Sequence, residues 1–173
     1  VLIMGPRDAN TNTGFANRSQ EFEEVVVQVN RVSKKNKGGN QMRFSTLVVV
    51  GDRKGRVGAG LGKAPDVRSS IQKAAAFAKK HLFSVPLRGN TLPFEQRVKY
   101  GAAMVLVKPA RPGTGIIAGG PVRVVLDLAG VHDGVGKILG TKNKISNVYA
   151  TLKALENISE LVEKKGGRPK EKG

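Results

Sequence analysis

Cysteine and tryptophan are absent from the 173 residues, only two histidines are present, and aromatic residues make up 5% of the chain. Without a thiol there can be no disulfide framework, no Cys-ligated zinc, no iron–sulfur cluster and no thiol nucleophile; the lack fits a reducing compartment. His81 and His132 are the whole imidazole complement, so an imidazole-rich metal site is unexpected, and neither metal nor cofactor is anticipated. The scarcity of aromatics disfavours a base-stacking platform, because proteins that grip single strands do so on exposed Phe, Tyr or Trp. Long apolar runs are missing too. The longest, Ala102 to Val107, falls far short of the roughly 20 residues that span a bilayer. Val1 to Met4 is apolar but too short for a signal-peptide core, and no cationic segment precedes it.

Acidic residues are few: 13 Asp and Glu face 30 Lys and Arg, giving a formal charge of +17 and a sequence pI near 10.5. Such an excess calls for a polyanion. Nucleic acid is preferred to an anionic membrane surface, because the basic runs sit in glycine-rich turns rather than on a long amphipathic helix. A chain of this length can bury roughly 70% of its unfolded surface, enough for one or two small domains. Composition shifts divide it into an N-terminal arm at 1–19, domains at 20–86 and 87–163, and a basic tail at 164–173. Both ends read as flexible, since neither carries an apolar period. The densest charge lies in 20–86, at a net +8.

In that first domain Phe22 to Val32 is rich in Val and alternates Val25, Val27 and Val29 with Val26, Gln28 and Asn30, which predicts a strand. Ser33 to Asn40 reads as an interruption. A second strand is expected over Met42 to Val50, a turn over Gly51 to Gly55, and a third strand over Arg56 to Leu61. The turns of this meander concentrate Lys34, Lys35, Lys37, Arg53 and Lys54, flanked by Arg31, Arg43 and Arg56. After Pro65, the positions Val67, Ile71, Ala74, Ala75, Ala78 and Leu82 form one face of a helix. Pro65 suits its first turn and Asp66 complements its positive end.

Gly58-Ala59-Gly60-Leu61-Gly62-Lys63 precedes that helix. It fails as a P-loop, because Val57 stands where a glycine is needed and Ala64 where Ser or Thr is needed. Two readings stay open: small residues that permit close packing, or a backbone cradle for an RNA phosphate at Gly58 and Gly60 assisted by Lys63.

The second domain reads as ββαβα: strands over Arg97 to Tyr100 and Ala102 to Lys108, a Pro/Gly loop over Pro109 to Gly115, a short helix opened by Pro121, a strand over Val131 to Leu139, and a helix capped by Asn143. His132 and Asp133 are adjacent. On a strand they would face opposite sides, so they are read as structural and no catalytic residue is assigned.

Asn30-Arg31-Val32-Ser33-Lys34, Lys37-Gly38-Gly39, Val49-Val50-Gly51-Asp52, Gly55-Arg56-Val57-Gly58 and Gly62-Lys63-Ala64 resemble the first domain of the bacterial-type family of the fifth small-subunit ribosomal protein. Gly113-Thr114-Gly115-Ile116-Ile117-Ala118-Gly119-Gly120, with Arg123, Gly130-Val131-His132 and Asn143, resembles the second. The resemblance runs in unbroken order from about residue 20 to 160. It implies an α+β protein of two domains: an N-terminal βββα unit like the double-stranded-RNA-binding fold, and a C-terminal ββαβα unit with a left-handed βαβ crossover, against the usual hand.

It also implies a non-enzymatic constituent of the small ribosomal subunit, in the cytoplasm or an organelle. Such a protein binds small-subunit rRNA where head meets body, near the region where mRNA enters, and contributes to translational accuracy beside ribosomal proteins S-four and S-eight. Neither a membrane nor a small-molecule substrate is expected. Arg31 to Gly39 matches the loop that reaches the rRNA of the head. The rRNA set is Arg31, Lys34, Lys35, Lys37, Gly38, Gly39, Arg43, Arg53, Lys54, Arg56, Gly58, Gly60 and Lys63. Arg111, Gly113, Thr114, Gly115 and Arg123 match the side facing S-four. Asn40 departs from an Arg common in relatives, with Arg43 as its candidate substitute, and Pro112 replaces an acidic residue. Two competing readings are a phosphate-loop enzyme like the small-molecule kinases and a free double-stranded-RNA-binding regulator.

Overall fold

Val-rich segments with few helix formers pair early in this chain, and the alanine run after Pro65 then closes over them. The computed structural model describes residues 22–164, so the arm at 1–19 and the tail after Lys164 lie outside the described residues. Strand β1 (Glu23–Asn36) pairs antiparallel with β2 (Gly39–Gly51), β2 with β3 (Arg56–Ala64), and β3 with the short β4 (Phe83–Ser84). Helix α1 (Val67–Lys80) lies against β2 and β3. Asp66 is its N-cap, accepting from the Arg68 and Ser69 N–H groups at 3.1 and 3.4 Å, which places Pro65 before the helix rather than in its first turn. The helix stops at Lys80, so Leu82 is not part of its face.

The first sheet is covered on both sides over 47–50 of β2 and 57–59 of β3. Val48 and Val50 pack on Ala74, Ala75 and Ala78 of α1, while Leu47, Val49, Val57 and Ala59 join a larger core with residues of the second half. Each fully buried Val or Leu contributes roughly 1.5–3 kcal/mol. Between sheet and helix, the buried Ser70 hydroxyl donates to the Val67 carbonyl, leaving its oxygen to accept from Thr46 at 2.7 Å. A bulge between Val26 and Gln28 breaks the alternation read from β1: Val25 and Val27 both pack on the core, and Val29 is 43% exposed.

The second sheet has the order β5-β6-β8-β7. Strands β5 (Gln96–Tyr100) and β6 (Ala103–Pro109) form the expected antiparallel pair. Strand β7 (Ile116–Ile117) escapes sequence patterning because it is two residues long. Strand β8 (Gly134–Ile138) is shorter than its apolar run and pairs parallel with β7 through helix α2 (Gly120–Leu128). Helix α3 (Lys144–Lys164) packs across β5 and β6, and Asn143 Oδ1 accepts the Ile145 N–H at 3.1 Å, as a cap should.

Candidate nucleic-acid interface

The segment read as an interruption, Ser33 to Asn40, is instead the paired tip of a long hairpin. β1 runs on to Asn36 and β2 starts at Gly39, with Lys37 and Gly38 as the turn. Gly39 holds φ 127°, a backbone region that suits glycine. Every residue from Arg31 to Arg43 is exposed. Strand pairing needs only backbone hydrogen bonds, so polar composition did not prevent it. The register places Val32 opposite Arg43 and Lys34 opposite Gln41, while Arg31 faces Phe44 and Lys35 faces Asn40. Side chains alternate along a strand, so Lys34 and Arg43 share one face, and Arg31 and Lys35 the other. Arg43 therefore cannot substitute for a cation at Asn40, which is on the opposite face. No acidic residue stands between Glu24 and Asp52, so both faces are basic.

The opposite end of the first sheet behaves differently. The Asp52 side chain is 3% exposed and accepts the Lys54 and Arg56 N–H groups at 2.8 and 2.9 Å and the Arg56 Nε–H at 2.7 Å. Burial alone would raise its pKa. The hydrogen bonds from the Arg56 side chain and from the two backbone amides, with the Arg56 charge, outweigh that and lower it. The Arg56 guanidinium also lies over the Phe22 ring, 4.9 Å from its centroid. Arg53 grips Glu23 with two bonds of 2.7 and 3.1 Å and reaches Asp127 of α2 at 3.4 Å.

Arg53 and Arg56, expected to meet rRNA, are thus committed to internal partners. Sequence counting sees the cations but not the carboxylates that fold against them. Lys54 remains exposed, as does Lys63 on β3.

The cradle reading of Gly58 and Gly60 is overturned. Both lie inside β3 and are buried. A Cβ at Gly58 would lie 2.7 Å from the Ala78 carbonyl oxygen, and one at Gly60 would collide with that of Ala74. Gly62 meets Ser70 in the same way. The three glycines form a period-two stripe that lets α1 approach the sheet, with the second core behind it. No room is left for a phosphate.

In the second half, Arg111 and Thr114 are exposed, and the Thr114 hydroxyl donates to the Arg111 carbonyl at 2.7 Å. Gly113 and Gly115 hold φ 85° and 72°. Asp133, read from the sequence as structural, organises this loop: it is 6% exposed and accepts the Gly115 N–H at 2.9 Å. Its own carbonyl accepts from the Thr91 hydroxyl at 2.6 Å, which in turn accepts the Ala110 N–H. Asn90 holds the His132 and Asp133 N–H groups. The two residues precede β8 rather than lie in it, with Asp133 buried and His132 exposed. Arg123 is exposed on α2; Asp127, one turn on, is drawn instead toward Arg53.

This geometry defines the class: a two-sheet α+β scaffold with a bare basic hairpin at one end of its first sheet and a braced junction at the other. Ribosomal protein S5, N-terminal domain, matches residues 22–86, and Ribosomal protein S5, C-terminal domain, matches 98–168. The chain is 48% identical over 156 residues to small ribosomal subunit protein uS5c of Spinacia oleracea, an alignment covering 86% of this chain and 51% of the relative. It is 47% identical over 138 residues to small ribosomal subunit protein uS5 of Thermus thermophilus, covering 80% and 85%. The chain therefore spans about half the length of the spinach relative and most of the bacterial one. It belongs to the ribosomal protein S5 family. That family is structural rather than enzymatic, so the kinase-like reading is set aside.

Proposed function

We propose that this chain is a structural constituent of the small ribosomal subunit, in the cytoplasm or an organelle, and that it grips small-subunit rRNA with the β1–β2 hairpin. The observation that carries this reading is the hairpin itself. Arg31, Lys34, Lys35, Lys37 and Arg43 project from the two strands and their turn with no ion-pair partner among the described residues, and a two-stranded ribbon without a core is at best marginally stable alone. Polyanionic RNA supplies the missing partner for both faces, while Gly38 and Gly39 shape the tip. Lys54 and Lys63 are secondary phosphate contacts. Placement where head meets body, near the entering mRNA, and a contribution to accuracy follow from the family resemblance. So does a division of labour in which Arg111, Gly113, Thr114, Gly115 and Arg123 face S-four, with S-eight a further neighbour.

The test is the salt dependence of rRNA binding. Five hairpin contacts give a slope of log K against log salt of roughly −3.5 to −4.5, at 0.7 to 0.9 per contact. Replacing Lys34, Lys35 and Lys37 with Gln flattens it by about 2 to 3. An unchanged slope in the triple variant would remove the hairpin from the interface. Failure of the protein to sediment with ribosomes would favour the free regulator instead.

A further inference from the structure

Helix α1 has a second face that the packing of the fold does not use. Its alanines Ala74, Ala75 and Ala78 are buried against the sheet. On the outside, Lys73, Phe77, Lys80 and His81 fall at i, i+4, i+7 and i+8, one exposed stripe. Phe77 is 45% exposed and stacks on His81 with ring centroids 4.1 Å apart and an interplanar angle of 25°. The imidazole is itself held, with Nδ1 2.9 Å from the Phe77 carbonyl oxygen. One face of the phenyl ring is thus covered by a fixed neighbour, and the exposed remainder of the side chain is open to a partner. The rim is wholly cationic: α1 contains no acidic residue. Lys79 is spoken for by Glu24 at 2.6 Å, whereas neither Lys73 nor Lys80 has an ion-pair partner among the described residues.

We infer that this stripe is a second RNA contact, in which an unstacked nucleobase of the rRNA lies on Phe77 while Lys73 and Lys80 hold the flanking phosphates. The inference rests on the rRNA-binding reading above and adds a site remote from the hairpin. Gly58 backs onto Ala78 and His81, and Gly62 onto Ser70, so the stripe lies at the end of the first sheet opposite the hairpin tip. An aromatic face flanked by cations is what single bases seek, since every base has a π-face and carries phosphate beside it. One ring pair accommodates one base, which reconciles the site with the chain's poverty in aromatics. An acidic protein segment would use the lysines but gain nothing specific from the ring stack.

The test uses the full chain and purified small-subunit rRNA. Phe77→Ala, at an exposed helix position, should melt close to the wild type yet bind rRNA about tenfold more weakly, the size of one lost base stack. Its salt slope should be unchanged, because no phosphate contact is removed. Phe77→Trp keeps a stacking surface and becomes the chain's only tryptophan. Its affinity should stay within about threefold of the wild type, and its emission should be quenched on adding rRNA. Affinity of Phe77→Ala within twofold of the wild type, or tryptophan emission indifferent to rRNA, would overturn the site. So would emission that responds to small-subunit proteins and not to rRNA, which would mark a protein-docking face. A hairpin triple variant with unchanged salt slope would defeat the hairpin reading while leaving a positive Phe77 result standing, so the two failures are distinguishable.

Discussion

The Arg53 N–H, in the turn between β2 and β3, donates to the carbonyl of Leu128 at the end of α2 over 3.0 Å. Arg53 does so with φ 55°, the left-handed region. Gly130, at φ 84°, backs directly onto the Arg53 carbonyl group. Two turns from different halves of the chain are therefore pressed backbone to backbone. Gly130→Ala should cost about 2 kcal/mol or more, combining left-handed strain with a collision against main chain. Arg53→Gly, which suits that backbone and loses only half-exposed ion pairs, should cost clearly less than Gly130→Ala. Denaturant melts of both variants check this, and equal losses would contradict it.

The glycine stripe gives a second expectation. Gly60→Val drives a branched side chain into the Ala74 carbonyl, and overpacking of that kind costs about 1–3 kcal/mol, more where backbone must move. Stability should fall, whereas rRNA affinity per folded molecule should not. A variant that melts normally but binds rRNA poorly would restore the phosphate cradle.

Asp52 supplies a pH dependence. Its folded pKa is lowered, so its contribution to stability is fully present above the unfolded carboxylate value of about 3.9 and is lost as pH falls through the lower folded value. Asp52→Asn should lose about 1–3 kcal/mol at neutral pH, the cost of disturbing buried charge-assisted hydrogen bonds. Stability measured against pH should fall less steeply below about pH 4 in the variant than in the wild type. Parallel acid limbs would show that Asp52 is not the responsible group.

How much of this was legible depends on which force decided each element. Helices α1 and α3 were readable because burial fixed Ala74, Ala78, Leu152 and Ile158 at helical spacing. Residues 33–40 were not, because their strands are held by backbone pairing that leaves no trace in hydrophobicity. The second sheet's chain order was readable, but β7 was too short to register.

Among site residues, Arg31, Lys34, Lys35, Lys37 and Arg43, singled out in the sequence, all lie exposed on the hairpin. The internal partners of Arg53 and Arg56 were not legible, because Glu23, Asp52, Asp127 and Phe22 reach them only through the fold. Gly58, Gly60 and Gly62 did carry a signal: their spacing of two puts all three on one face of a strand, which points to a close neighbour above the sheet. Asp133 carried none, since its role depends on Gly115 and Asn90, both distant in sequence.

The exposure of the hairpin from Arg31 to Arg43 also bears on the order of events in assembly. Its amides are tied only to each other, so they can open to solvent exchange at a cost far below that of unfolding the two cores. Before RNA arrives, the tip should exchange its amide hydrogens quickly while β3 and α3 protect theirs. On the proposed function, docking must then meet the entropy of fixing those residues out of its own binding energy, which lowers affinity per unit of buried surface but lets the ribbon conform to the RNA as it settles. On the proposed reading, a rigid body meets its partner through a segment that becomes firm only on contact.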